Sequence, residues 1–166
     1  MMIAMTTSAW TIRHATVDET EAAELLSSYY DELVSRYWGR PCRPGEVEAA
    51  MRDEPNDDLV VFLVASVDDR PAGCVGVRLL APDLAELSRM YIRPEFRRAG
   101  GGGRLLGAAD RAAEELGARA IRLDTRTDLV EARAMYARYG YREIPRYNDS
   151  TYAGHWFEKQ LGAVEE

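Results

Sequence analysis

The residues from Arg97 to Arg104 read RRAGGGGR, and their types and order suit one kind of chemistry. The four glycines Gly100, Gly101, Gly102 and Gly103 stand ahead of an apolar stripe at helical spacing: Leu105, Leu106, Ala109, Ala112, Ala113 and Leu116. A helix starting here has no Ser, Thr, Asp or Asn to cap its first turn. Its leading N–H groups have no intrahelical partners, and glycine lets another molecule approach them closely. The helix dipole adds partial positive charge at the same end. Arg97, Arg98 and Arg104 surround the point, with Arg89 and Arg93 just upstream. Such a place suits an anion, above all a pyrophosphate. The alternative is a glycine turn before an ordinary amphipathic helix.

Two glycine-rich motifs are excluded. A P-loop has Lys and then Ser or Thr after its last glycine, whereas Gly103 is followed by Arg104 and Leu105. A dinucleotide fingerprint counted from Gly100 and Gly102 needs a third glycine where Leu105 stands, and the charged segment RPEFRRA separates these glycines from the preceding strand.

Around this loop the chain reads as alternating strands and helices. Trp10 to His14 is a short first strand. Thr16 with Glu19 has the capping-box form, and the stripe Ala22, Leu25, Leu26, Tyr29, Tyr30, Leu33, Val34, Tyr37 predicts a long first helix with its tyrosines mostly in the core. Pro44 opens a second helix reaching about Met51, and Asp53 to Asp58 is an acidic loop. The continuous apolar run Leu59 to Ala65 reads as a strand buried on both faces. A turn at Asp68-Asp69-Arg70 returns the chain as Ala72 to Leu80, and Ala85 to Ile92 follows. After the glycine-led helix, which stops near Gly117, come a strand Ala120 to Thr125, a helix capped by Asp128 and running through Tyr139, and two short strands, Arg142 to Ile144 and His155 to Gln160. This order predicts an α/β chain of α+β type, a mixed central sheet of about seven strands flanked by about four helices.

The composition bounds the function. The chain of 166 residues suits one domain, residues 9–162, between a loose leader (residues 1–8, where Met5 is a candidate true start) and a short tail (residues 163–166). A net charge of -7 argues against general nucleic-acid binding. Against it, the stretch Arg89 to Arg104 holds five arginines and one acid, Glu95, a local reversal expected of an anion site. Cys42 and Cys74 make neither metal spacing nor a disulfide framework, and no metal is expected. No apolar run suits a membrane span or a signal peptide, so the expected location is the cytoplasm. His14 and His155 make no triad or ligand pattern and read as structural.

Arg97-x-x-Gly100-x-Gly102 resembles the acyl-CoA pyrophosphate loop of the GNAT superfamily of N-acetyltransferases. Tyr136-Ala137-Arg138-Tyr139-Gly140-Tyr141, whose Tyr136 follows Gly101 by 35 residues with a strand between, resembles that family's second signature. The element order agrees from about Trp10 to Leu161. The resemblance implies acetyl-CoA as co-substrate, with the pyrophosphate on the segment Arg97, Arg98, Ala99, Gly100, Gly101, Gly102, Gly103 and Arg104. It implies backbone contacts from Met90, Tyr91 and Ile92 to the pantetheine arm, and an N–H there for the developing oxyanion. It implies Tyr136 as the acid that protonates the departing thiolate. Glu86, eleven residues before Arg97, stands where some members place a catalytic glutamate. A base is needed because an alkylamine is protonated at pH 7, and removing a proton about three units below its pKa costs about 4 kcal/mol. The chain departs from the family where an asparagine often stands seven residues before the tyrosine; here it is Leu129, with Asp128 in reserve as a cap.

In the family the acceptor site is built from the first two helices and the last inter-strand loop. These segments offer Tyr30, Trp38, Tyr147 and Asn148, with Tyr29, Arg40, Asp149 and Tyr152 nearby. The expected activity is acetyl transfer from acetyl-CoA to a primary amine of a small molecule or peptide, by direct attack in a ternary complex. The rival is a non-catalytic acyl-CoA-binding sensor or interaction domain. Homodimers are common in the family.

Overall fold

A computed structural model of the protein describes residues 9–162, so the leader and tail expected from sequence lie outside the described residues. The elements are β1 (Trp10–His14), α1 (Thr20–Trp38), α2 (Glu46–Asp53), β2 (Val61–Val67), β3 (Arg70–Ala81), β4 (Leu84–Ile92), α3 (Gly101–Glu115), β5 (Ala120–Thr125), α4 (Val130–Arg138), β6 (Arg142–Ile144) and β7 (His155–Gln160), with a single 3-10 turn at Pro94–Phe96. The strands form one seven-stranded sheet in the order β1-β2-β3-β4-β5-β7-β6. Only β4 and β5 run parallel, and α3 connects them. The α/β architecture, a mixed sheet of seven strands with four helices, is the one expected.

The sheet is covered on both faces, which explains why β2 is apolar at every position but Ser66. Val61, Leu63 and Ala65 join the cluster under α3, with Leu105, Leu106 and Ala109. Phe62 and Val64 point the other way, into the cluster under α1 and α2 with Leu25, Leu26 and Tyr30. Alternation of side chains along a strand sends neighbours to opposite faces.

Helix starts depart most from the sequence reading. Thr16 and Glu19 do bond, the Thr16 N–H donating to Glu19 Oε2 at 2.8 Å, but the Thr16 hydroxyl donates to Asp18 at 2.6 Å. The pair closes a turn ahead of α1, which begins at Thr20 with no side-chain cap. Pro44 precedes α2, whose N-cap is Gly45 in the left-handed region. Asp128 does not cap α4; its carboxylate accepts from Arg126 Nε at 2.7 Å, and α4 runs Val130–Arg138.

Candidate active site

The site is an opening in the sheet. Strands β4 and β5 pair only from Leu84 to Glu86 against Ala120 to Arg122. Beyond Glu86, β4 continues without β5, while its other edge stays on β3. The β3–β4 register slips between Cys74↔Tyr91 and Gly76↔Ser88, and Arg89 inside the slip has φ 58°. This is a bulge, which bends a strand and re-aims its side chains. The cleft that results has a volume of about 1140 Å³ and reaches from the glycine turn to the loops after α2 and before β7.

At one end lies the start of α3. Gly100 is its N-cap at φ 85°, a conformation natural to glycine, and no side chain caps the turn. A Cβ on Gly101 would run into the Trp10 indole, one on Gly102 into Met135 Sδ, and one on Gly103 into the Tyr139 phenol. The glycines therefore admit β1 and α4 to the helix start as well as leaving its N–H groups uncapped. Trp10 Nε1 donates to the Ala99 carbonyl at 3.1 Å and pins the turn. The arginines divide. Arg98 is exposed at φ 65° and lines the cleft, as does Arg138 of α4, and neither has a side-chain partner among the described residues. Arg97 lines the cleft too, but pairs with Glu32 at 2.8 Å and donates to the Ile92 carbonyl at 2.7 Å. Arg104 turns back to the Gly100 carbonyl at 3.3 Å; neither it nor Ala99 lines the cleft.

Arg89 and Arg93 do not join the anion end. Arg93 donates to the Pro71 carbonyl at 3.0 Å. Arg89 is buried, donating to Asn56 Oδ1 at 2.7 Å and to the Glu54 and Pro55 carbonyls at 3.0 and 3.2 Å. It clamps the acidic loop against the sheet. Sequence proximity grouped these arginines, but the bulge and the β4 edge send them elsewhere.

Along the middle, Met90, Tyr91 and Ile92 line the cleft on the β4 edge that has no strand partner among the described residues. Ser88 Oγ beside them is buried without a hydrogen bond. An extended chain carrying amides fits such an edge, which offers unpaired backbone groups and an orphan hydroxyl.

At the far end stand Tyr136 and Glu86. Tyr136 of α4 is 5% exposed, lines the cleft, and its hydroxyl bonds to no described residue. Burial pushes its phenol up, so it keeps its proton at neutral pH. Glu86 is 3% exposed and tightly held: Oε1 accepts from Arg78 Nε at 2.7 Å and Nη2 at 2.6 Å, and Oε2 accepts from the Tyr147 hydroxyl at 2.6 Å. Tyr147 acts on the cleft through Glu86 and does not line it. Asn148 does line it, donating through Nδ2 to Asp124 Oδ2 at 2.8 Å while its Oδ1 accepts from Trp156 Nε1 at 2.8 Å.

Besides Tyr147, two more expected acceptor residues fall outside. Tyr30 is fully buried in the core beneath α1, its hydroxyl spent on the Glu54 carbonyl and Asn56 Oδ1. Trp38 is 56% exposed, set edge-to-face against Tyr37 with the Arg40 guanidinium over its ring, and lies off the cleft. At the same helical spacing, one turn of α1 serves the core and its end serves the surface; Tyr29 is the tyrosine that reaches the cleft. His155 pairs with Glu143 on β6 at 2.6 Å, away from the cleft.

Sequence reasoning missed Asp124, Glu54 and Arg78. Asp124 follows the alternation of β5, in which Ile121 and Leu123 face α3 and Arg122 and Asp124 face the other way, a pattern that reads as a solvated face. Only the parting of the strands turns that face into a cavity wall. Burial raises the Asp124 carboxyl, and Asn148 partly opposes it. Burial likewise raises Glu54. Among the described residues, no cluster of three or more His, Cys, Asp or Glu side chains could hold a metal ion, and no helix is long and apolar enough to cross a membrane.

Solved structures share this fold. A GNAT-family acetyltransferase from Staphylococcus aureus Mu50 superposes with a TM-score of 0.70 at 18% identity, over 92% of this chain and 99% of that one. The PaiA N-acetyltransferase from Thermoplasma acidophilum, in complex with coenzyme A, gives 0.68 at 20% identity over 92% and 99%. The ribosomal-protein-S18-alanine N-acetyltransferase from Escherichia coli gives 0.64 at 20% over 95% and 97%. Among curated proteins none matches the sequence. The model of the acetyltransferase (GNAT) family matches residues 21–141, and on that match the chain belongs to the GNAT acetyltransferase family.

Proposed function

We propose that the protein transfers an acetyl group from acetyl-CoA to a primary amine of a small molecule or peptide, by direct attack within a ternary complex. The observation that carries this reading is one cleft with an uncapped helix start at one end and, at the other, the buried Tyr136, whose hydroxyl bonds to no described residue. The residues fit acetyl-CoA as co-substrate. The N–H groups of α3, with Arg98 and Arg138, would hold the pyrophosphate. The free edge from Ser88 to Ile92 would take the pantetheine amides, and Tyr136 would protonate the departing thiolate. Arg97 would serve mainly by ordering the loop through Glu32.

The acceptor side is acidic. Glu54, Asp58, Glu86 and Asp124 line it; Arg78 answers Asp58 and Glu86, and Arg89 is spent on the loop's carbonyls. An acidic wall attracts a protonated amine. A peptide amine is included because a solved relative is an N-acetyltransferase of a ribosomal-protein alanine. Cys42 and Cys74 are both free thiols, which supports a reducing compartment, the cytoplasm.

The test is release of CoA thiol from acetyl-CoA across a panel of polyamines, amino acids, aminoglycosides, aryl amines and short peptides, with a thermal shift by CoA alongside. Turnover with one amine class is expected. Tyr136→Phe should lower kcat by about 100-fold or more with little change in the KM for acetyl-CoA. A CoA shift with no turnover would favour the binding-module reading, and no CoA effect on folded protein would overturn the assignment of the glycine turn.

A further inference from the structure

We propose that Asp124, and not Glu86, takes the proton from the acceptor's ammonium group, and that Asn148 and Trp156 hold it for that step. The inference rests on the acetyl-transfer reading above and names its base.

Glu86 has a donor on each carboxylate oxygen. Arg78 donates twice to Oε1 and Tyr147 donates to Oε2, at 2.6 to 2.7 Å. These three donors fix the carboxylate between β3 and the loop before β7. Glu86 supplies negative charge to the wall and keeps Tyr147 in place.

Asp124 differs at each point. It takes one hydrogen bond, from a neutral amide, on Oδ2. No described residue donates to Oδ1, and Asp124 lines the cleft. The orientation of its partner is settled by chemistry. The indole N–H of Trp156 can only donate, so the Asn148 atom 2.8 Å from it must be the amide oxygen. The backbone N–H of Ser150 points at the same oxygen, at 3.3 Å. The Asn148 NH₂ therefore faces Asp124 and obliges Oδ2 to accept. Oδ1, to which no described residue donates, is left free to take a proton. Trp156 is buried on β7, which pairs Asp124 with Trp156 itself in the sheet, so the relay is anchored at both ends.

A second polar group stands in the same cleft, the hydroxyl of the buried Tyr136, which bonds to no described residue. The two groups divide the proton traffic. Asp124 Oδ1 takes one proton from R–NH₃⁺, leaving a lone pair on nitrogen. Nitrogen attacks the thioester carbonyl carbon, the C–N bond forms, and the C–S bond then breaks. Tyr136 gives its proton to the thiolate. The second proton lost from nitrogen restores the phenol, and Asp124 releases its proton to solvent, so one proton leaves per turnover.

The charged and titratable groups facing Asp124 come from several elements. Glu86 and Arg89 stand on β4 and Arg78 on β3. Glu54 after α2, Tyr29 on α1, Tyr136 on α4 and Tyr147 before β7 complete the set. Burial dominates and raises the carboxyl; Glu86 adds to the rise, and Asn148, Arg78 and Arg89 oppose it. A carboxylate so placed is a stronger base than an exposed one.

The experiment is the pH dependence of kcat/KM for the best amine, with the CoA thermal shift as a check on folding, in the wild type and in Asp124→Asn, Glu86→Gln and Asn148→Ala. Asp124→Asn should lose about 100-fold or more at pH 7. Its deficit should shrink toward pH 10, where the amine sheds its own proton. Glu86→Gln should raise the KM for the amine and keep the acid limb. Asn148→Ala should move the acid limb to higher pH, because the bond it removes favours the ionised carboxylate. That shift is a readout that mere loss of packing would not give. Near-wild-type turnover in Asp124→Asn, or loss of the acid limb in Glu86→Gln, would overturn the assignment while leaving acetyl transfer standing. If Asp124→Asn loses the CoA shift, Asn148→Ala decides, and an unmoved limb there overturns it. A wild type inactive toward every amine removes the acetyl-transfer reading and the assignment with it.

Discussion

Asp124 carries a cost that can be measured without substrate. Its native carboxyl is raised by burial, so between its unfolded and native pKa values the native state holds more protons than the unfolded chain. Stability from that group is present at low pH and is lost as pH rises through this window. Asp124→Asn, neutral at every pH, should melt at higher temperature than the wild type at pH 8, with the gap closing toward pH 3. Thermal melts across pH check this, and a variant less stable at pH 8 would contradict the burial argument. Glu46 shows the opposite sign. Hydrogen bonds from Arg40, with the Arg43 N–H, lower its carboxyl to about 2. Its contribution is present above the ordinary carboxylate range and fades as pH falls toward 2.

At the scale of elements, the glycine turn is held by what packs on it. Trp10 presses on Gly101 from β1 and bonds the Ala99 carbonyl, while Met135 and Tyr139 of α4 close on Gly102 and Gly103. Gly101→Ala should destabilise the protein by about 1–3 kcal/mol through overpacking. It should also raise the KM for acetyl-CoA by disturbing the helix start; denaturant melts and saturation curves separate the two effects. The β4 bulge is secured in a comparable way by Arg89, which satisfies Asn56 Oδ1 and two loop carbonyls from a buried position. Arg89→Met removes the donor to the Pro55 carbonyl and leaves the Glu54 carbonyl and Asn56 Oδ1 to share the Tyr30 hydroxyl; it should cost about 1–3 kcal/mol, readable in a denaturant melt, with a raised KM for the amine as the loop loosens.

For the molecule as a whole, the parted sheet joins two separately packed faces. The cluster under α3 includes Tyr136, and the cluster under α1 and α2 borders the acidic loop. The proposed thiolate acid and amine-side carboxylates thus approach one opening from opposite faces. The thiols report on the integrity of this body. Cys74 is fully buried on β3, and burial pushes its thiol up to about 12; Cys42 is partly exposed. A thiol reagent should therefore modify at most Cys42 in the native protein and both cysteines in denaturant, because the thiolate is the reactive form. Rapid native labelling of Cys74 would contradict the packing of β3.

The sequence by itself determined every element of the sheet and most strand bounds, because periodic burial is local: β5, β6 and β7 fall on the ranges that their apolar alternation and flanking glycines mark. It also located the uncapped turn at Gly100 and the Tyr136 signature, since both are contiguous motifs. What only the tertiary structure decided depends on partners far apart in the chain. Arg89 and Arg93 left the anion end because a bulge and a strand edge turned them away. Tyr30 and Trp38 left the acceptor site because one helix spacing serves core, cleft and solvent alike. The Asp124–Asn148–Trp156 relay was illegible because its members meet only when β7 lies beside β5 and β4 stops pairing past Glu86. Hydrogen-bond chains of this kind are properties of packed surfaces, and no local pattern encodes them.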